Sequence, residues 1–110
     1  MTTPRTRADW QAMADGLTLR TQAFIDGRYV DAADGRTFDC ISPIDGRVLG
    51  QVAAGGQADI GRAVRAARRS FEAGGWSQAR PVKRKKTLQK LVALIERHAD
   101  ELALLETLDM

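Results

Sequence analysis

Cys40 and His98 are the single cysteine and the single histidine of this 110-residue sequence, and their types invite a catalytic reading. A thiolate nucleophile needs a base within hydrogen-bond reach. The only histidine lies far along the chain in a helical pattern, while Cys40 stands beside Ile41 in a strand pattern. Cys40 therefore reads as a small buried packing residue. His98, with Arg97 and Asp100 close by, reads as a surface or capping residue. No acidic spacing pairs a general acid with a general base. The motifs GxGxxG, GxxxxGK[ST], HExxH and Gly-x-Ser-x-Gly are all absent. One cysteine and one histidine exclude an intramolecular disulfide and a zinc centre built from those ligands.

The remaining chemistry is basic. Arg62, Arg65, Arg68, Arg69, Arg80, Lys83, Arg84, Lys85, Lys86 and Lys90 offer cations for a phosphate backbone. They fall opposite the apolar residues of their own helical patterns, and neither stacking aromatics nor zinc-finger spacing accompanies them. A solvated face is the reading, and a nucleic-acid partner is not favoured. A net charge of +3, 44% hydrophobic and 28% charged residues are those of an ordinary globular protein, which excludes disorder throughout. No apolar run is long enough to span a bilayer, and Met1 to Asp15 lacks the apolar stretch of a signal peptide. The expectation is a cytoplasmic protein with no membrane partner.

The elements that must position these groups divide the chain into hairpins and helices. In residues 1–22, Trp10, Met13, Ala14 and Leu17 fall at helical spacing, which predicts a short docking helix after a frayed start; a tail with a few apolar residues is the alternative. Asp26-Gly27 between β-favouring neighbours predicts a two-residue type I′ turn, with strands near Ala23 to Ile25 and Arg28 to Val30. Asp34-Gly35 repeats that turn chemistry, and Pro43-Ile44-Asp45-Gly46 predicts a second hairpin whose return strand runs from Val48 to about Val52. Asp59 is expected to cap a helix whose apolar face is Ile60, Ala63, Val64, Ala67 and Phe71, ended by Gly74-Gly75. Trp76 is expected to be an anchor between this helix and the next. Pro81 opens that next helix, and Leu88, Leu91, Val92, Ile95, Ala99, Leu102 and Leu105 form the stripe expected to organise the core. Asp100 and Glu101 after His98 predict a break there. The reading is hairpins followed by antiparallel helices.

Taken in order, Phe24-Ile-Asp-Gly-Arg-Tyr29, Ser42-Pro-Ile-Asp-Gly46, Val52-Ala53, Asp59-Ile60, Ala63-Val64-Arg-Ala-Ala67, Phe71, Trp76, Arg84, Leu88, Leu91 and Glu101-Leu-Ala-Leu-Leu-Glu-Thr-Leu-Asp109 resemble the N-terminal part of the NAD(P)-dependent aldehyde dehydrogenases. The resemblance covers residues 23–110, and its wording is most similar to the enzymes acting on γ-glutamyl-γ-aminobutyraldehyde and related aminoaldehydes. It implies an α/β fold: an arm over residues 1–22, then an incomplete, Rossmann-like cofactor-binding domain of hairpins and two or three amphipathic helices. It implies that the catalytic cysteine, glutamate and asparagine and the NAD- or NADP-binding elements all lie outside the matched stretch, so this chain alone binds no cofactor and performs no catalysis. Cys40 does not match the catalytic cysteine. One family site reaches this stretch: a structural monovalent cation bound through backbone carbonyls at Cys40 and Ile41 and the carboxylate of Asp109. Hard oxygen ligands suit such an ion. In the family one variable residue follows the aspartate, which Met110 would fill. The expected partners are an aldehyde substrate in the full-length enzyme only, and a complementary C-terminal chain or further copies of the same chain. A non-catalytic interaction module is the alternative function, ahead of a basic nucleic-acid binder.

Overall fold

The computed structural model describes residues 5–110, and its elements follow the expected order of hairpins and then helices. Helix α1 spans Arg7–Asp15. Thr6 caps it: the Asp9 N–H donates to Thr6 Oγ1 at 3.2 Å, and the Thr6 N–H donates back to Asp9 Oδ2 at 2.7 Å. This reciprocal box satisfies two amides that a helix start leaves without partners. A short helix is thus present, none of its residues buried, and the start of the chain before it lies in part outside the described residues.

Strands β1 (Ala23–Ile25) and β2 (Arg28–Val30) have the expected bounds and pair antiparallel, with Phe24 opposite Tyr29. Asp26 and Gly27 take φ of 55° and 77°, as a type I′ turn requires. The two rings of the cross-strand pair meet edge to face at 5.1 Å. At the next turn only Gly35 has positive φ, and its N–H donates to the Ala32 carbonyl at 2.8 Å, so Asp34-Gly35 closes a loop rather than a second two-residue hairpin. Strands β3 (Thr37–Ile41) and β4 (Val48–Ala53) form the other sheet. Cys40 pairs with Gly50 and Ile41 with Val48, so Leu49 is the extra residue of a bulge. Ser42 is buried at the turn, where its Oγ accepts from the Ile44 N–H at 3.2 Å.

Helix α2 spans Gln57–Glu72, α3 Pro81–Arg97 and α4 Ala99–Asp109. Pro81 is the first residue of α3, and the break falls at His98, whose N–H bonds the Leu94 carbonyl while its own carbonyl accepts from Leu102. Asp59 is not the cap of α2 but its third residue; Gly56 is the cap, and the Asp59 carboxylate reaches back to it. The expected helical core does not form. None of the residues of α3 is buried, and Leu88, Leu91, Val92 and Ile95 remain about half exposed. The buried leucine is Leu104, outside the predicted stripe, because the break at His98 resets the helical register. Nor do α2 and α3 close on Trp76, which is 45% exposed in the turn between them. The chain forms a layer measuring 48 × 43 × 18 Å. Its radius of gyration is 18.1 Å, against about 13 Å for a self-contained domain of this length.

Gly27→Val should destabilise the β1–β2 hairpin by about 1–2 kcal/mol, since a β-branched residue resists positive φ. Loss of the cross-strand contacts between Phe24 and Tyr29 in nuclear Overhauser spectra checks it, and unchanged contacts would refute the turn argument.

Candidate functional site

The structure gathers two of the three residues that the resemblance assigned to a cation. The end of α4 comes back to β3, and Asp109 Oδ1 lies 3.6 Å from Cys40 Sγ. The thiol donates to the carboxylate across 69 positions of sequence. Burial pushes the Cys40 thiol above its ordinary pKa, and acceptance of its proton by Asp109, together with that group's negative charge, pushes it further. A thiol of this kind stays protonated at neutral pH, the opposite of an activated nucleophile. Ile41 follows Cys40 at the bulge with its side chain exposed.

Around this pair lies a recess of about 430 Å³ between β3, β4, the segment Thr18–Thr21 and α4. Leu49, Val52, Leu102 and Leu105 line its apolar part, and Glu101 and Glu106 stand at its polar part. Among the described residues no three His, Cys, Asp or Glu side chains gather to hold a metal ion. His98 lies apart, with Nδ1 3.1 Å from Glu101 Oε2 on an exposed surface.

The best-built polar cluster is one that sequence reasoning placed wrongly. Asp59 is 4% exposed and accepts from the Gly56 N–H at 3.0 Å, the Ala33 N–H at 3.0 Å and Arg62 at 2.5 Å. The Gly56 N–H above all, then the Arg62 guanidinium, with a smaller part from Ala33, holds its carboxyl below the ordinary value, against the opposing effect of burial. An acidic residue three positions into a helix was the available signal. The cluster fixes α2 to the loop after β2, which is a structural task.

Three of the basic residues of α2 have acidic partners within the chain. Arg62 serves Asp59, Arg69 bonds Asp26 at 3.0 Å across to the β1–β2 turn, and Arg68 stands 4.0 Å from Glu72. Arg28, Arg62, Arg65 and Arg69 line a shallow recess of about 340 Å³ beside the first hairpin. No helix among the described residues is long and apolar enough to cross a membrane.

Residues 29–110 match the model of the aldehyde dehydrogenase family. The chain belongs to that family. It is 48% identical over 102 residues to the NADP/NAD-dependent aldehyde dehydrogenase PuuC of Escherichia coli, a match covering 93% of this chain and 21% of PuuC. Its structure is similar to that of the γ-glutamyl-γ-aminobutyraldehyde dehydrogenase of Burkholderia cenocepacia, with a TM-score of 0.90 and 57% identity over 93% of this chain and 21% of that one. It also resembles a variant of the indole-3-acetaldehyde dehydrogenase AldA of P. syringae, solved with NAD+ and IAA: TM-score 0.93, 53% identity, 97% of this chain and 22% of that one. The chain thus spans about a fifth of the length of the relatives it matches.

Cys40 is half-buried rather than the fully buried packing residue expected, and two outcomes follow from it and from Asp59. Asp109→Asn removes the negative charge and leaves a weaker, neutral acceptor, so the Cys40 thiol should titrate lower and alkylate faster at a fixed mildly alkaline pH; an unchanged rate–pH profile would show that Asp109 does not reach it. Because Asp59 has a folded pKa below its ordinary 3.8, the stability it contributes is present above about that pH and is lost as pH falls through the folded value. Protection of the Gly56 and Ala33 amides should fall over that range in the wild type, and be weak at every pH in Asp59→Asn.

Proposed function

We propose that this chain is the N-terminal layer of the cofactor-binding domain of an NAD(P)-dependent aldehyde dehydrogenase, an oxidoreductase converting an aldehyde to a carboxylic acid. In this reading its own residues position the domain and perform none of the chemistry. The observation that carries it is the pairing of two facts: nearly the whole chain superposes on about a fifth of each relative, and the one thiol present is held protonated beside a carboxylate. The names of the relatives supply the finer terms. PuuC is described as NADP/NAD-dependent, and the Burkholderia enzyme by γ-glutamyl-γ-aminobutyraldehyde. We assign the whole enzyme to aminoaldehyde substrates of that class and to either nicotinamide cofactor.

The monovalent cation belongs to the same proposal. Asp109 would supply the charged oxygen, and the backbone carbonyls of Cys40 and Ile41 the neutral ones. Support comes from the approach of Asp109 to Cys40 and from the bulge, which disturbs the strand ladder at this point. The ion would tie the end of α4 to the second hairpin. It plays no part in hydride transfer here.

The purified chain, given NAD or NADP and an aminoaldehyde, should produce no reduced nicotinamide above the blank. Turnover above the blank would overturn the assignment of all chemistry to residues outside this stretch.

A further inference from the structure

We propose that the recess between α2 and the first hairpin binds a phosphate dianion, free or as the ester of a small molecule. Arg28 and Arg65 are its open guanidiniums, and Arg69 is a third that Asp26 can release. The recess shares no residue with the one at Cys40 and Asp109, and the inference does not depend on the function proposed above.

The first observation is convergence. Arg62, Arg65 and Arg69 stand at steps of three and four along α2, on one face of the helix. Strand β2 sets Arg28 against that face, so two elements bring four guanidiniums around one concavity. Like charges at these steps destabilise a helix unless anions offset them.

The second is the balance of charge. Asp59 offsets Arg62 at 2.5 Å, and Asp26 offsets Arg69 at 3.0 Å. Arg28 and Arg65 form no ion pair among the described residues, so two positive charges are left in the recess. The two pairs differ in kind. Asp59 is buried and accepts two backbone amides besides, whereas Asp26 and Arg69 are both more than half exposed, and such a pair is weak. An entering dianion can therefore draw Arg69 from Asp26 while Arg62 stays with Asp59.

The third is shape and ligand chemistry. The recess holds about 340 Å³, with half-buried Ile25 and Val30 on its wall, which is room for a phosphoryl group and a few further atoms. Arg65 Nη1 lies 3.3 Å from where a Cβ at Gly61 would stand. Glycine is unfavourable inside a helix, and the side chain it omits here is the one that would crowd Arg65. Every cation of the recess is an arginine, whose planar fork bonds two phosphate oxygens at once. A phosphate monoester carries close to two negative charges at neutral pH, matching the two charges left open. A nucleic-acid strand fits less well: the neighbouring aromatic, Tyr29, already has the Phe24 ring at 5.1 Å and the Arg20 guanidinium at 4.8 Å, which leaves no free platform for a base.

The test is to titrate the chain with inorganic phosphate and with phenyl phosphate, each replacing chloride at constant ionic strength, and to follow amide and arginine Nε–H shifts in nitrogen–proton spectra. Saturable shifts confined to Ile25 to Val30 and Arg62 to Arg69 are expected. Arg28→Gln and Arg65→Gln should each weaken binding about fivefold or more. Asp26→Asn should tighten it about threefold by freeing Arg69, and it keeps the turn, since Asn-Gly suits the same positive φ. Lys86→Gln should change nothing. Equal affinity for the two probes identifies free phosphate as a sufficient ligand; tighter binding of phenyl phosphate identifies an organic ester. Shifts that fail to saturate, that spread to Lys83 to Lys90, or that are indifferent to Arg28→Gln and Arg65→Gln overturn the site. Tighter, steeply salt-dependent binding of a DNA duplex across α2 and α3 also overturns it. The Phe24–Tyr29 Overhauser contacts report that the hairpin is formed in each variant. If the isolated chain lacks them, calorimetry on this chain fused to the part of E. coli PuuC that follows its matched segment gives the decision. A phosphate-binding step lost in Arg28→Gln and Arg65→Gln and kept in Lys86→Gln supports the site, and a titration identical in all of them refutes it.

Discussion

Asp59 holds α2 against the loop that follows the first hairpin. Its carboxylate joins the cap amide of α2 at Gly56, an amide in the loop after β2 and a guanidinium on α2 itself. A buried carboxylate is tolerated only when its lone pairs are filled, and here three donors fill them. Arg69 repeats the connection from farther along α2 by reaching Asp26 at the hairpin turn. The helix is therefore referenced at two points to the β1–β2 unit, and its open apolar row is aimed by that reference. A change at Asp59 would redirect the row, although none of its residues is altered.

That dependence on polar junctions follows from how little apolar surface the layer closes. Ala32 and Leu104 are its buried hydrophobic residues. Burial of apolar area is the main driving force of folding, and a layer 18 Å thick has helices and sheets one deep. The aldehyde dehydrogenase relatives carry roughly four-fifths of their length besides this layer.

The sequence was most legible where cause and effect are local. Asp26-Gly27 demands positive φ at two adjacent positions, so the first hairpin could be placed to the residue. Pro81 and the acidic pair after His98 marked α3 and the break in the same way. Asp59 was misassigned because the cap and the third helical position both favour a carboxylate, and only the distance to Gly56 and Ala33 separates them. The stripe of α3 was read correctly as apolar, but periodicity says which side of a helix avoids water and not whether this chain covers it. Leu104 was missed because the repeat was carried through His98 as though one axis continued. The meeting of Cys40 with Asp109 has no local signal at all; it was reached only through resemblance to a family.

The long-range ties have a common character. Ala33 to Asp59, Asp26 to Arg69, Cys40 to Asp109, and Arg5 on the arm to Asp100 of α4 are all polar. Exposed ion pairs each contribute under about 1 kcal/mol, and closing loops of this length opposes them with chain entropy that rises only slowly with length. Such ties choose among arrangements more than they drive folding. They set the angle at which α2 meets the first hairpin and the place where α4 returns to the second. The free energy that would hold this geometry must come mainly from apolar area, and that area is on the faces left open. The layer is thus specified by its own polar contacts, while those contacts leave most of its large apolar side chains exposed.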